Sequence, residues 1–208
     1  MRRFALLALL AILWGCAKTV LVPVPPRVDL SRYGTLGVVE FSSNAGRGIE
    51  AQATRRFEEQ LQAAQPGTPL VELGGREAVL ASVGGTRFDS ETVRRVGEKY
   101  RVDAVFVGEL AYSRPKTDVR VTDISRLEGD VRAEMRGDIS ARLLEARSGA
   151  SVWSGSAWAK RQIGRVSVSE HGVRAKTSTA DPREEMVPAL VYHLTGDFRP
   201  STVRRRVK

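Results

Sequence analysis

The sequence contains few of the residues that build disulfides and metal centres. Among 208 residues there are one cysteine, Cys16, and two histidines, His171 and His193. A single cysteine excludes an internal disulfide, and a zinc site would need carboxylates beside the two histidines. The sequence also has no run of the roughly 20 apolar residues that a membrane-spanning helix needs. We therefore expect no metal site and no retained transmembrane helix.

The first sixteen residues have the layout of a secretory signal. Arg2 and Arg3 precede an apolar run, residues 4–14, that ends at Gly15 and Cys16. A positive start followed by a short apolar run is typical of a signal for export that is then removed. The ending Leu-Trp-Gly-Cys resembles the lipobox of bacterial lipoproteins, in which the cysteine is acylated and becomes the first residue. The resemblance implies loss of residues 1–15 and a palmitate-type acyl group on Cys16. An ordinary secreted protein with a chance cysteine is the alternative.

The residues after Cys16 predict where such a lipoprotein would be sorted. Ala17, rather than aspartate, follows the cysteine, which by the same resemblance implies the periplasmic face of the outer membrane. Residues 16–33 contain three prolines, which disfavour helix and central strand, so they are expected to form an extended tether. At about 3.1 Å per residue, this tether would hold the domain some 30–45 Å from the membrane.

Residues 34–198 predict one domain in which strands and helices first alternate. Strands are expected at 35–41, 70–73 and 104–110, and amphipathic helices at 49–61, 76–83 and from Asp89 or Ser90 to Tyr100. Gly108 within the third strand predicts a bulge or a close approach by another backbone. The apolar run around it is typical of a central strand with helices on both faces.

The second half of this domain predicts antiparallel hairpins and a final helix. Residues 112–122, 131–146 and 150–162 are expected to be strands, the last two joined by a turn at 147–149. Asp181 and Pro182 predict the start of a helix, with Met186, Ala189, Leu190 and His193 along its apolar side. The fold class predicted is α/β (α+β), a mixed sheet flanked by helices.

Four stretches resemble a family that includes the curli-export lipoprotein pore and the outer-membrane lipoproteins that activate penicillin-binding proteins. They are GTLGVVEF, the helix after it, GEKYRVDAVFVGEL and ISARLLEARSGASVWSGSA, which together span residues 35–158. The resemblance implies an α/β fold with a mixed sheet. Because the matched positions are core and turn residues, it implies no ligand.

Motifs for catalysis are missing, so we expect no enzyme, no catalytic residue and no cofactor. Ser113 and Lys116 have the spacing of the S-x-x-K element of penicillin-binding enzymes, but that element must begin a helix. Pro115 and strand-like surroundings argue against a helix there. His193 is expected to pack in the core, and His171 to lie in a polar loop.

Two tryptophans, Trp153 and Trp158, are the candidate partner-binding residues. An odd spacing of five places them on opposite faces of a regular strand, so one would lie outside the core unless Gly155 hosts a bulge. Exposed tryptophan is a common anchor in protein interfaces. Packing of both side chains is the simpler expectation.

The high net charge belongs to the C-terminal end. The formal charge is +9, of which the ten residues 199–208 contribute +5, so residues 16–198 have only +2. These ten residues are expected to form a flexible tail. Arg204, Arg205, Arg206 and Lys208 are candidates for contact with anionic lipid or the cell wall, and a solvated tail with no partner is the alternative. Nucleic acid is not an expected partner, because export would separate the protein from it.

Two hypotheses for function follow. The first is a lipid-anchored, non-catalytic envelope lipoprotein whose periplasmic domain binds another envelope protein. The alternative is an oligomeric, ring-forming component of an outer-membrane export or assembly complex. Arginines in residues 112–146 disfavour membrane-crossing strands there, because each outward-facing arginine at mid-bilayer costs roughly 2–4 kcal/mol.

Overall fold

Strands and helices alternate as far as residue 104, and long strands follow. The computed structural model describes residues 19–123, 128–169, 172–177 and 180–206. The strands are β1 (Thr19–Val24), β2 (Leu36–Val39), β3 (Ser42–Ser43), β4 (Leu70–Gly74), β5 (Ala104–Tyr112), β6 (Lys116–Asp123), β7 (Glu128–Glu145), β8 (Ser151–Ser169), β9 (Gly172–Thr177) and β10 (Ser201–Arg206). The helices are α1 (Arg47–Ala64), α2 (Arg76–Ser82), α3 (Ser90–Tyr100) and α4 (Pro182–Leu194), with short 3₁₀ helices at Leu30–Arg32 and Thr195–Phe198.

Eight strands form one mixed sheet, in the order β4-β2-β5-β7-β8-β9, with β3 beside β5 and β6 beside β7. The strands β4, β2 and β5 are parallel, and the pairs from β5 to β9 are antiparallel. The parallel strands are connected through helices, and the antiparallel ones through turns, as their geometries require. This arrangement confirms the predicted α/β fold with a mixed sheet. No helix in the described ranges is both long and apolar enough to cross a bilayer.

The larger core lies between the sheet and the helices α1 and α4, and a series of aromatic rings runs through it. The ring centroids of Phe41 and Phe57 are 5.2 Å apart, and those of Phe57 and Phe106 are 5.1 Å apart. Phe106 contacts Trp153 at 6.1 Å and Phe198 at 5.8 Å, both edge to face. Such aromatic pairs add roughly 0.5–1.5 kcal/mol each beyond the area they bury.

The apolar side of α4 differs from the prediction. The buried residues are Met186, Val187, Leu190, Val191 and Leu194, whereas Ala189 and His193 are exposed. The predicted packing of His193 is therefore wrong. The valines and leucines bury more apolar surface than alanine and histidine do, so the helix turns this side to the core.

Tyr112 joins the end of β5 to the start of α4. Its hydroxyl donates to the carbonyl oxygen of Arg183 at 3.2 Å, and its backbone exchanges two hydrogen bonds of 3.0 Å with the Asn44 amide. Burial, with a smaller effect from the nearby Asp181 carboxylate, raises the pKa of Tyr112 to about 12. The hydroxyl therefore stays protonated and able to donate at neutral pH.

The smaller core lies on the other face of the sheet, beneath α2 and α3. Val79, Val93 and Val96 of these helices pack against Val105 and Val107 of β5. The helix α3 begins at Asp89, whose carboxylate accepts from the Thr92 backbone N–H at 2.9 Å, as the predicted cap requires. That hydrogen bond lowers the pKa of Asp89.

Gly108 marks a close approach rather than a bulge. The pairing of β5 with β7 runs from Ala104 to Tyr112 without a shift in register. A Cβ atom at Gly108 would overlap the ring of Phe41. The close approach is thus made by an aromatic side chain of the larger core, and not by another backbone as predicted.

The C-terminal end is ordered, which corrects the prediction of a flexible tail. β10 pairs with β1 in an antiparallel two-stranded sheet, from Thr19 opposite Arg206 to Val24 opposite Ser201. We call this pair of strands the terminal ribbon. Residues 16–33 were predicted to form an extended tether because of their prolines, and residues 199–208 a flexible tail because of their low apolar content. They pair because each one satisfies the backbone hydrogen bonds of the other.

Gln65 holds the two strands of the ribbon at the same place. Its side-chain amide donates to the carbonyl oxygens of Val28 at 2.6 Å and Phe198 at 3.0 Å. Its oxygen accepts from the Leu30 N–H at 2.7 Å. The Val28 N–H in turn donates to the carbonyl of Asp197 at 3.1 Å. The segments that lead out of β1 and into β10 are therefore fixed side by side.

Replacing Gln65 with alanine should loosen the terminal ribbon. Removal of a side chain that satisfies three backbone groups is expected to cost about 1–3 kcal/mol. Urea unfolding should show this loss, and the amide hydrogens of β1 and β10 should exchange faster. Gln62, on the same helix and exposed, supplies the matched control Gln62→Ala. Equal behaviour of the two variants would contradict the role given to Gln65.

Candidate binding surface

The two candidate tryptophans lie on opposite faces of β8. Trp153 is 7% exposed and Trp158 is 56% exposed. The pairing of β7 with β8 is regular from Trp153 to Trp158, with no bulge at Gly155. The spacing of five therefore places the two side chains on opposite faces, as strand geometry predicts. The expectation that both side chains pack is wrong for Trp158.

Trp153 belongs to the core. Its ring lies 4.7 Å from that of Phe198, and its Nε1 donates to the Asp197 carboxylate at 3.2 Å. Asp197 also accepts from Arg27 at 3.1 Å. This side chain connects the aromatic core to the base of the terminal ribbon, and it offers little surface to a partner.

Trp158 stands on a part of the sheet that α2 and α3 do not reach. Within the described residues, the apolar contacts of these helices with the sheet extend to Val107 of β5 and Leu144 of β7. Beyond that point the same face presents polar and charged side chains. We call this surface the open face; its members in β5, β7 and β8 are Glu109, Arg136, Asp138, Ser140, Arg142, Ser154, Ser156, Trp158 and Lys160.

Arg136 and Asp138 hold Trp158 in place. Asp138 is directly opposite Trp158 in the β7–β8 pairing. The guanidinium of Arg136, diagonal to the tryptophan, lies 5.0 Å from the ring centroid. Its Nε donates to the Asp138 carboxylate at 2.9 Å, and its Nη2 donates at 2.6 Å. These hydrogen bonds raise the pKa of Arg136, so the cation that covers the ring is permanent.

The backbone at Arg136 is fixed as well. Its N–H donates to Ser113 Oγ at 3.0 Å, and its carbonyl accepts from the Ser113 N–H at 2.8 Å. Ser113 therefore works as a link between β5 and β7. It lies between strands rather than at a helix start, which is where the S-x-x-K motif would need it.

Two shallow depressions flank the central part of the open face. One, of about 200 Å³, lies between Trp158, Arg136 and Glu109. The other, of about 320 Å³, is lined by Arg142, Ser154 and Arg76 from the start of α2. Trp158 borders the first depression, and an exposed aromatic ring beside a concave area is a shape against which side chains of a second protein can pack.

The other predicted site residues are placed differently. Arg204 and Arg205 are exposed on β10, and Arg206 is its last residue. Cys16 and Lys208 lie outside the described residues, as does His171. In the part of the chain that the structure describes, no three histidine, aspartate or glutamate side chains converge as metal ligands.

Sequence reasoning selected Trp158 but missed Arg136 and Asp138. The signal for them was present in the hairpin. In a hairpin whose turn is centred on Ser148, residues that are equally many positions before and after Ser148 lie opposite each other. Asp138 and Trp158 are such a pair, and they lie opposite each other in the structure. Arg136 then follows, because residues two apart on a strand share a face.

Comparisons with known proteins give weak structural similarities only. No family model matches the chain, and no curated protein sequence matches it. Among solved structures, the PelC dodecamer from Paraburkholderia phytofirmans is similar at 13% identity and a TM-score of 0.43, covering 88% of this chain and 98% of that one.

Two further solved structures show the same level of similarity. The LpoB C-terminal domain from Salmonella enterica has 14% identity and a TM-score of 0.37, covering 61% of this chain and 82% of that one. Lipoprotein GNA1162 from Neisseria meningitidis has 16% identity and a TM-score of 0.35, covering 62% and 83%. At these values the similarities assign neither a family nor a function to this chain.

The contact between Arg136 and Trp158 predicts a change in fluorescence quenching. Arg136→Gln removes the cation that covers one side of the ring, so quenching of Trp158 by acrylamide should increase while the protein stays folded. Arg142→Gln, an exposed change on the same face, is the matched control. The measurement uses a chain that lacks residues 1–15 and carries Trp153→Phe, so that neither Trp14 nor the buried ring contributes to the emission. An unchanged quenching constant in Arg136→Gln would contradict the contact.

Proposed function

We propose that the chain is a lipid-anchored, non-catalytic lipoprotein on the periplasmic face of the outer membrane, and that its open face binds another envelope protein. The observation that carries the proposal is Trp158, a tryptophan 56% exposed and held by Arg136 on a sheet face that has no covering helix in the described residues. Tryptophan and arginine are the residue types most enriched at the energetic centres of protein interfaces.

The arrangement of Trp158 supports binding because it is already ordered. Immobilising a flexible side chain on association costs roughly 0.5–1.5 kcal/mol. Here Arg136 and Asp138 hold the ring through contacts made within the chain itself. A partner would thus meet a preformed aromatic anchor, beside a depression that could receive its own side chains.

The anchor is supported by the sequence around Cys16. A basic start, a short apolar run and a lipobox-like ending precede it, and Ala17 follows it. Stable attachment to a membrane takes two or more acyl chains, because a single chain binds only marginally. A lipoprotein of this kind would present its open face to proteins within reach of the membrane surface.

Site-specific photocrosslinking tests this function. A photoreactive residue at Ser156, beside Trp158 on the open face, is introduced into the full chain in a bacterial envelope. We expect an adduct with one envelope protein, which mass spectrometry then identifies. In the Trp158→Ala variant, binding to that purified partner should weaken by about 30-fold, the effect of a loss of about 2 kcal/mol at an interface centre.

Tyr192 supplies the matched control. It is another exposed aromatic residue, 54% accessible, and it too is covered by an arginine, Arg199, but it lies on α4 on the opposite side of the sheet. Tyr192→Ala should leave the adduct and the affinity unchanged. Adducts only between copies of this chain would favour the ring-forming alternative, and an adduct insensitive to Trp158→Ala would contradict the proposed surface.

A further inference from the structure

The terminal ribbon has an unusual composition for an exposed pair of strands. Its twelve residues include three arginines, Arg204, Arg205 and Arg206, and no acidic residue. Three large apolar side chains are exposed on it: Leu21 at 62%, Val20 at 49% and Val203 at 47%. An isolated two-stranded ribbon is only marginally stable in water, so a surface that covers these residues would stabilise it.

The arginines are concentrated at one end of the ribbon. Thr19 pairs with Arg206, Val20 with Arg205, and Leu21 with Arg204, whereas the opposite end, at Val24 and Ser201, joins the body of the domain. Among the described residues, neither Arg204 nor Arg205 forms an ion pair with an acidic side chain. Their charges are therefore available to an anionic surface.

The position of this end relative to Cys16 follows from chain length. Only three residue steps separate Cys16 from Thr19, and three extended residues span at most about 11 Å. If Cys16 carries the acyl chains, as the proposed function holds, this end of the ribbon must lie within about that distance of the membrane. At physiological ionic strength, charges interact over about 8 Å.

We infer that the terminal ribbon is a second membrane contact, in which Arg204, Arg205 and Arg206 bind the phosphate groups of anionic phospholipids beside the lipidated Cys16. Val20 and Leu21, on opposite faces of this end of the ribbon, and Val203, next to Arg204, would enter the interfacial region of the bilayer. This inference rests on the proposed lipid anchor and adds a defined surface to it. It draws on the pairing of β1 with β10, which brings residues almost 190 positions apart to one site.

The contact would also set the distance of the domain from the membrane. A free tether of the length predicted from the sequence would allow some 30–45 Å. A six-residue antiparallel ribbon spans about 20 Å, and Gln65 fixes the segment that follows it to the body. The domain would therefore stand closer to the bilayer and in a restricted orientation.

The test places a fluorophore on the ribbon of the full lipidated chain. Acylation consumes the thiol of Cys16, so Thr202→Cys provides one reactive thiol on β10. Thr117→Cys provides the distant control, because it is exposed on β6, which pairs with the end of β7 farthest from the β7–β8 turn and the base of the ribbon. Each chain is reconstituted in vesicles of phosphatidylcholine alone, or of equal parts phosphatidylcholine and phosphatidylglycerol, with a quencher on a fraction of the headgroups. A mass spectrum of the N-terminal peptide first establishes that Cys16 is acylated.

The ribbon label should be quenched at least about twofold more in vesicles with phosphatidylglycerol than in those without it. The difference should disappear in 1 M salt, where charges are screened to about 3 Å. It should also disappear when Arg204, Arg205 and Arg206 are all changed to Gln, while amide exchange shows that β1 and β10 remain paired. The Thr117 label should not respond to lipid charge.

The outcomes separate the two proposals. An acylated chain whose ribbon label is quenched equally in both kinds of vesicle, or is unaffected by the three glutamines, would overturn the membrane contact and leave the anchor intact. A chain whose Cys16 carries no acyl group would overturn the anchor and, with it, the membrane contact.

Discussion

The hydrogen bonds of one side chain, Gln65, determine where both ends of the described chain lie. Gln65 ends α1, whose Phe57 and Leu61 are buried in the larger core, so its amide is held by the packing of the helix. From there it binds backbone groups on either side of the terminal ribbon. Asp197 adds to this connection, because it accepts hydrogen bonds from Trp153 in the core and from Arg27 near β1. These hydrogen bonds connect the base of the ribbon to the aromatic core. They therefore restrict the orientation of the ribbon relative to the domain.

A second constraint is the mismatch between strand and helix lengths. β7 and β8 contain 18 and 19 residues, or about 60 Å of extended chain, whereas α2 and α3 contain 7 and 11. The two short helices cover only part of one face, and α1 and α4 cover the other. The part of this face that the two helices leave uncovered is the open face. Most of its side chains are polar, so they can contact solvent. The fold therefore exposes two surfaces with different properties, the open face on the sheet and the cationic end of the ribbon.

Much of the fold could be predicted from the sequence, since its signals are local. The apolar run 104–110, the Asp89 cap and the turn at 147–149 indicate a central strand, a helix start and a hairpin, and all three are present. The errors concern competition between distant parts. His193 fits a helical stripe with Met186, but Val187, Val191 and Leu194 bury more apolar surface. β10 has no local signal, because its pairing partner β1 is at the other end of the chain.

Only part of the candidate binding surface could be predicted from the sequence, because the rest depends on contacts between distant segments. Strand alternation alone places Trp153 and Trp158 on opposite faces, but which one is buried depends on which face α1 and α4 cover. The arginine that holds Trp158 comes from the neighbouring strand, so it emerges only when the register is known. The position of Arg204 at one end of the terminal ribbon likewise depends on its pairing with Leu21.

Both the proposed lipid anchor and the proposed membrane contact require that Cys16 is acylated. The most direct test is metabolic labelling with radioactive palmitate, followed by separation of the inner and outer membranes and comparison with Cys16→Ser, which changes one atom of the side chain. We expect label on the intact chain in the outer-membrane fraction, and an unlabelled Cys16→Ser chain. A chain that takes up no palmitate, or one that is labelled equally in Cys16→Ser, would contradict the proposed anchor.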